Sequence, residues 1–233
     1  MVRTQRVAHE EERAKAICGE RLVAFDRFAE QIRSAEELAI ILGTPSEFSL
    51  RKELKTLDGH MRRFIAHSPF VVVSTHSADG KCDASPRGDP PGFVHVIDDR
   101  TLLIPDRAGN KRADSYRNIL ETGRIGLLFL VPGVGETLRV NGTAAIIRDE
   151  AWLTPLSLQG KRPAVAVAVE IEECFLQCAK ALIRSKLWEA HERPDSQSLP
   201  CAAEMFTDQV KMSEFDVARV QTLLEEAYKS KLY

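Results

Sequence analysis

The sequence lacks most of the features that announce a function. No Gly-x-Gly-x-x-Gly leads from a strand into a helix and no Gly-x-x-x-x-Gly-Lys-Ser/Thr occurs, so neither a Rossmann dinucleotide site nor a P-loop is supported. Apolar runs such as LLFLV at Leu127–Val131 are far too short to span a bilayer. The N-terminus, MVRTQRVAHEEERAKAICGE, is charged throughout without an apolar signal core, and a soluble, unexported protein is expected. Neither sign of charge prevails: 32 Lys and Arg against 34 Asp and Glu leave a net charge of -2, with no general cationic field for nucleic acid or anionic lipid. The five cysteines (Cys18, Cys82, Cys174, Cys178, Cys201) are odd in number and scattered, unlike a disulfide scaffold, and point to a reducing cytoplasm.

Residues for several chemistries are also missing. Cys174 and Cys178, with His191 farther on, lack the second ligand pair that a structural zinc site needs, and read as small buried hydrophobes. His60, His67, His76 and His95 are isolated, and no Ser, His and Asp arrangement can be assembled. No nucleophile, catalytic side chain or metal site is assigned.

What is present is a chain of 233 residues, 44% hydrophobic, enough for one sizeable core with extensions. Its texture divides it into three segments. Residues 1–63 are charged with helical periodicity, Leu22, Phe25, Phe28 and Ile32 recurring at helical steps, and read as a helical N-terminal arm. Residues 64–192 shift toward period two, with the runs FVVVST, GFVHVI, TLLI, RIGLLFLV, TLRVNGTAAII and AVAVAVEI separated by Gly, Pro and Asp turns. This predicts a mainly β domain with flanking helices, an antiparallel barrel or sandwich. A short helix is expected from Cys178 to about Trp188. Residues 193–233 hold the linker ERPDSQSLP and a helix near Ser213 to Lys229, a C-terminal helical arm.

One stretch is electrostatically odd. In LLIPDRAGNKRADSYRNIL a strand gives way to a turn on Pro105, Asp106 and Gly109, and then to a helix carrying Ala113, Tyr116, Ile119 and Leu120 on its apolar side, with Asn110 placed to cap it. Arg107, Lys111 and Arg112 crowd that helix start, where each further cation costs roughly 0.3–1 kcal/mol. They are either surface charge neutralised by Asp106 and Asp114, or an anion site in which N–H groups, dipole and cations converge on a phosphate. A second stretch, ASPRGDPPGFV, combines Pro86, Pro90 and Pro91, which cannot donate to a ladder, with Gly88 and Gly92, which permit close approach. It is either a solvated loop or a rigid surface for a flat ligand with Arg87 at its polar edge.

The segments SPFVVVSTHSADGKCDASPRGDPPGFV, DDRTLLIPDRAGNKRADSYRNILETGRIGLLFLVPG, ETLRVNGTAAI and CFLQCAKALIRSKLW closely resemble the pyridoxamine 5'-phosphate oxidase-like flavoproteins, and more narrowly their bacterial FMN-binding branch. The resemblance covers about Phe64 to Trp188. It implies an antiparallel split β-barrel forming a homodimer, with FMN between subunits and electrons or hydride passing through the flavin to or from a small-molecule substrate or donor. It implies that Arg107, Asn110, Lys111, Arg112 and Ser115 hold the phosphate, that Ser85, Pro86, Arg87 and Gly88 line the flavin, and that Pro105 and Asp106 run beside the ring. Arg139 is implied near the site from the partner subunit, and Lys180, Arg184, Ser185 and Trp188 at its rim. The chain departs from the true oxidases at EEAYKSKLY, where they carry an Arg-containing phosphate grip, so vitamin B6 oxidation is not the expected reaction. A flavin-binding module without turnover, and a haem-binding or haem-degrading protein with His95 or His191 as axial ligand, are the alternatives.

Overall fold

The computed structural model describes residues 25, 27–192, 195, 198–230 and 232–233. Residues 1–24 and 26 of the N-terminal arm, Cys18 and Leu22 among them, with residues 193, 194, 196 and 197 of the linker and residue 231, lie outside the described residues. The chain divides into two units, Met1–Glu47 and Phe48–Tyr233. In the first, helix α1 (Ala35–Leu42) starts where the Ser34 hydroxyl accepts the Glu37 N–H and stops at Gly43, whose φ of 80° ends the helical path. Phe25 and Phe28 form a turn instead of a helix, because the Gln31 amide donates to both of their carbonyls.

After the short helix α2 (Glu47–Arg51), helix α3 (Gly59–His67) is capped by the Asp58 carboxylate and buries Met61 and Ile65. Seven strands follow: β1 (Phe70–His76), β2 (Cys82–Gly88), β3 (His95–Val96), β4 (Thr101–Pro105), β5 (Arg124–Leu130), β6 (Thr137–Ile147) and β7 (Ala166–Gln177). They form one antiparallel sheet in the order β2-β1-β5-β6-β7-β4-β3. The period-two patterning sends Val71, Val73, Ile125, Leu127, Phe129, Leu138 and Val140 to one side. Val71 and Val73 share one apolar core with Leu102 and Ile104 of β4, although β5, β6 and β7 stand between in the pairing order, so the sheet is rolled. Helix α4 (Asp114–Thr122), between β4 and β5, contributes Ile119 to that core, and its buried Asn118 amide donates to Thr75 of β1 at 2.9 Å. The fold is therefore mainly β with flanking helices, an antiparallel split barrel.

Three local departures from the sequence expectation have physical causes. CDASPRG, low in β-propensity, is a full edge strand, because an edge tolerates the donor missing at Pro86. GFVHVI shrinks to the two residues of β3, since the Phe93 N–H turns back to Pro90 and Gly92, at φ 83°, packs against the Ala66 carbonyl. The C-terminal region carries two helices, α7 (Ala202–Val210) and α8 (Val217–Ser230). The unforeseen α7 starts at a capping box between Cys201 and Glu204. Between β6 and these lie α5 (Glu150–Leu153), whose Leu153 joins Leu156, Leu103 and Ala166 in a satellite core, and α6 (Lys180–Ser185). Among the described residues, no helix is long and apolar enough to cross a membrane.

The β6–β7 ladder contains a bulge between Asn141 and Gly142, which shifts the inward position on β7 so that Ile171 and Cys174 are both buried. A Cβ at Gly142 would lie 1.9 Å from the Glu170 carbonyl oxygen. Gly142→Ala is expected to destabilise the protein by about 1–3 kcal/mol or more. Gly59→Ala, where nothing lies within 4 Å, should be neutral or stabilising by no more than about 1 kcal/mol. Urea unfolding of both variants checks the contrast, and equal midpoints would refute it.

Candidate functional site

Alternation along β2 places Asp83, Ser85 and Arg87 on one half-buried face. Opposite them come the end of β4 at Pro105, the loop Asp106–Ala113 and the first turn of α4. Together these walls enclose a cleft of about 760 Å³, lined further by Pro86, Gly88, Phe93 and Val165.

The helix start differs from the capped form expected of Asn110. The Asn110 side chain accepts the Arg112 N–H at 3.0 Å inside the loop, and α4 begins instead at Ala113, left-handed at φ 57° and without a side-chain cap. Lys111 is left-handed as well, at φ 61°. Two such non-glycine residues within three positions store backbone strain at the cleft. The uncapped turn leaves the N–H groups of Asp114, Ser115 and Tyr116 without intrahelical acceptors, at the positive end of the helix dipole.

The side chains form two linked hydrogen-bond chains. The Arg87 guanidinium donates to the Ser85 hydroxyl, to the Pro86 carbonyl at 2.8 Å and to the buried Ser115 hydroxyl at 3.4 Å; Ser115 in turn donates to Asp83 at 2.6 Å. Arg87 also lies 5.9 Å from the centroid of the Tyr116 ring. The Tyr116 hydroxyl donates to Asp106 at 2.5 Å; burial first, then this carboxylate, raises its pKa above the ordinary phenol value.

The cations of the loop divide. Arg107 is ion-paired to Asp89 at 2.5 Å rather than to Asp106. Arg112 is ion-paired to Asp114 at 2.8 Å, which raises its pKa, while much of its side chain stays exposed. Arg87 and Lys111 make no ion pair among the described residues.

Of the residues singled out from sequence, the cleft gathers Ser85, Pro86, Arg87, Gly88, Pro105, Asp106, Arg107, Asn110, Lys111, Arg112 and Ser115. The single chain does not bring the others to it. Arg139 stacks over Phe175 at 5.3 Å, Lys180, Arg184 and Ser185 sit on exposed α6, and the Trp188 indole donates to the Val134 carbonyl. Sequence reasoning passed over Asp83, Phe93, Tyr116 and Val165 as lining residues. Asp83 had a signal, its alternation with Ser85 and Arg87; Tyr116 was assigned to the helix core, and Val165 is placed by tertiary structure alone.

This is a split-barrel fold with a cation-lined cleft at a helix N-terminus. A profile of the pyridoxamine 5'-phosphate oxidase family matches residues 57–178, more than half of the chain and every residue that lines the cleft. The protein belongs to the pyridoxamine 5'-phosphate oxidase family. Among solved structures it is similar to HupZ of Group A Streptococcus, at 19% identity and TM-score 0.44 over 52% of this chain and 94% of that one. A Lactobacillus delbrueckii candidate pyridoxamine 5'-phosphate oxidase matches at 23% identity and TM-score 0.42, over 53% and 98%. An FMN-binding protein from Syntrophomonas wolfei matches at 18% and 0.40, over 48% and 80%. No curated protein matches the chain.

Neither candidate haem ligand lines the cleft: His191 is exposed beside Glu189 and Glu192, and His95 lies on β3. Burial, and secondarily the Arg107 cation, lower the His95 pKa below 6.5. The neutral imidazole thus contributes stability that is complete above about pH 6.5 and is lost as the pH falls through the folded-state value. Thermal midpoints should drop between about pH 7.5 and about pH 5, less steeply in His95→Gln than in wild type. Identical slopes would show that His95 is not among the responsible groups.

Proposed function

We propose that the cleft binds FMN non-covalently and that the protein is a flavin-dependent oxidoreductase of the cytoplasm, working as a homodimer with the flavin at the subunit interface. The observation that carries this reading is the convergence of Arg87, Lys111 and Arg112 on the uncapped N-terminus of α4. A terminal phosphate would take the N–H groups of the first turn, that of Ser115 among them, and the donors that Arg112 and Lys111 direct to solvent. Pro86, Gly88, Phe93, Pro105 and Val165 offer a flat, weakly polar wall suited to a planar ring system. The donor set and the wall fit FMN, and the absence of a dinucleotide fingerprint disfavours FAD.

When bound, the flavin supplies hydride or electron transfer at N5. The chain's own residues bind and orient: Asp83 fixes the Ser115 hydroxyl, Ser115 fixes Arg87, and Asp106 fixes the Tyr116 hydroxyl at the cleft wall. Arg139, Lys180, Arg184, Ser185 and Trp188, remote from the cleft within one chain, suit contacts that a second copy would make. The substrate is a small molecule admitted by the open side of the cleft.

Protein purified without added cofactor, or reconstituted with it, should show flavin absorption and release FMN rather than FAD on denaturation. A colourless preparation that also fails to bind added FMN would refute the reading. Bound flavin that neither NADH nor NADPH reduces in stopped-flow mixing favours a storage or sensing module or a different donor. Sedimentation should give a dimer over a wide concentration range, and a monomer with full FMN affinity would exclude a shared site.

Lys111→Ala and Arg112→Ala should each weaken FMN binding by about ten- to a hundredfold, as loss of a charge-assisted phosphate contact requires. Riboflavin, without the phosphate, should bind weakly to wild type and lose little more. For Arg112→Ala, relief of repulsion at the helix start offsets the lost exposed pair with Asp114, so the apo melting temperature should hold. Unchanged FMN affinity with an earlier apo transition would make these cations structural partners of the neighbouring aspartates.

A further inference from the structure

Arg107 stands apart from the other cations of the cleft. Its side chain is 19% exposed and that of its partner Asp89 only 1%, whereas those of Arg112 and Asp114 are 74% and 37% exposed. Both Asp89 oxygens are engaged: Oδ2 pairs with Arg107 Nε at 2.5 Å and Oδ1 accepts the Tyr233 hydroxyl at 3.1 Å. Arg107 Nη2 donates to the Leu156 carbonyl at 3.0 Å, fastening the same guanidinium to a second element. The backbone around both partners is tied as well, Asp89 N–H to the Pro69 carbonyl and Asp106 N–H to that of Val165, each at 3.1 Å. Tyr233 is held in turn by Lys161, whose Nζ donates to its carbonyl oxygen at 2.6 Å.

Resting on the reading of the cleft as an FMN site, we infer that Arg107 is the brace of the 106–113 loop rather than a ligand of the cofactor, with Asp89 its positioning residue and Tyr233 a strap over the pair. The loop needs such a brace. It holds Lys111 and Ala113 in left-handed conformations and ends in an uncapped helix, so little within it fixes its path. The pair Asp89–Arg107 joins the end of β2 to the start of the loop, the two walls between which the ligand would sit.

The two roles of Arg107 differ in the sign of one substitution. Asp89→Asn removes a negative charge beside an anion site. If Arg107 grips the phosphate, releasing it from Asp89 leaves FMN affinity unchanged or raises it. If Arg107 is the brace, the same change loosens the loop, misplaces Lys111 and Arg112, and lowers affinity against the electrostatic trend.

The test compares full-length wild type, Asp89→Asn, Arg107→Ala, the double variant and Tyr233→Phe. FMN affinity is read by fluorescence quenching, and amide hydrogen exchange of residues 106–113 is read on the apo protein. Asp89→Asn and Arg107→Ala should each weaken FMN about tenfold, and the double variant no more than either alone, the non-additivity of one unit. Loop exchange should quicken in all four variants, least in Tyr233→Phe, while amides of β5 and β6 keep wild-type protection. Wild-type or tighter FMN binding in Asp89→Asn alongside loss in Arg107→Ala overturns the inference, as does unchanged loop exchange in both. Should Asp89→Asn not fold, Tyr233→Phe decides: faster exchange confined to the loop supports the brace and wild-type exchange overturns it. A wild type that binds no FMN defeats the cofactor reading alone, since the exchange measurement needs no flavin.

Discussion

The pairing of β6 with β7 is the constraint on which the cleft depends. These are the two longest strands, and every other strand reaches the sheet through one of them: β5, β1 and β2 through β6, and β4 and β3 through β7. The residues on opposite walls of the cleft therefore lie on opposite wings of the sheet, Asp83, Ser85 and Arg87 on one and Pro105 with its loop on the other. They meet because the sheet rolls, and the bulge opposite Gly142 adds local twist where the two wings join. The missing side chain at Gly142 is what permits that close backbone approach.

Charge at the cleft is balanced in layers of differing exposure. A carboxylate sealed from solvent satisfies Arg107, a more exposed one satisfies Arg112, and Arg87 is held by hydroxyls and a carbonyl, with no carboxylate paired to it among the described residues. An exposed pair between such side chains is weak and readily exchanged for a ligand. A sealed pair is not, because separating it strands a buried charge. The same residue type thus serves as scaffold at one position and as an available donor at another, and solvent access sets the difference.

The sequence made the barrel legible where burial was one-sided. The apolar runs FVVVST and RIGLLFLV became β1 and β5, whose burial alternates along the strand, and the cation-rich turn after TLLI led directly to the cleft. What it hid were features without a local pattern. CDASPRG forms a strand because β1 offers it seven paired positions, not through its own propensity. The helix cap assigned to Asn110 passed to Ala113, whose left-handed backbone no propensity rule favours. Arg107 meets Asp89 across 18 residues and Tyr233 meets Asp89 across 144, separations that pattern reading does not bridge.

A sheet that rolls without closing keeps two open edges, and open edges invite other chains to add strands. Here one edge is β3, two residues long, and the other is β2, which carries Pro86 within its length. The first is too short to template a partner and the second interrupts its own row of donors. The barrel can therefore stay split, with the cleft accessible from its side, and still resist growth into fibres or strand-swapped aggregates.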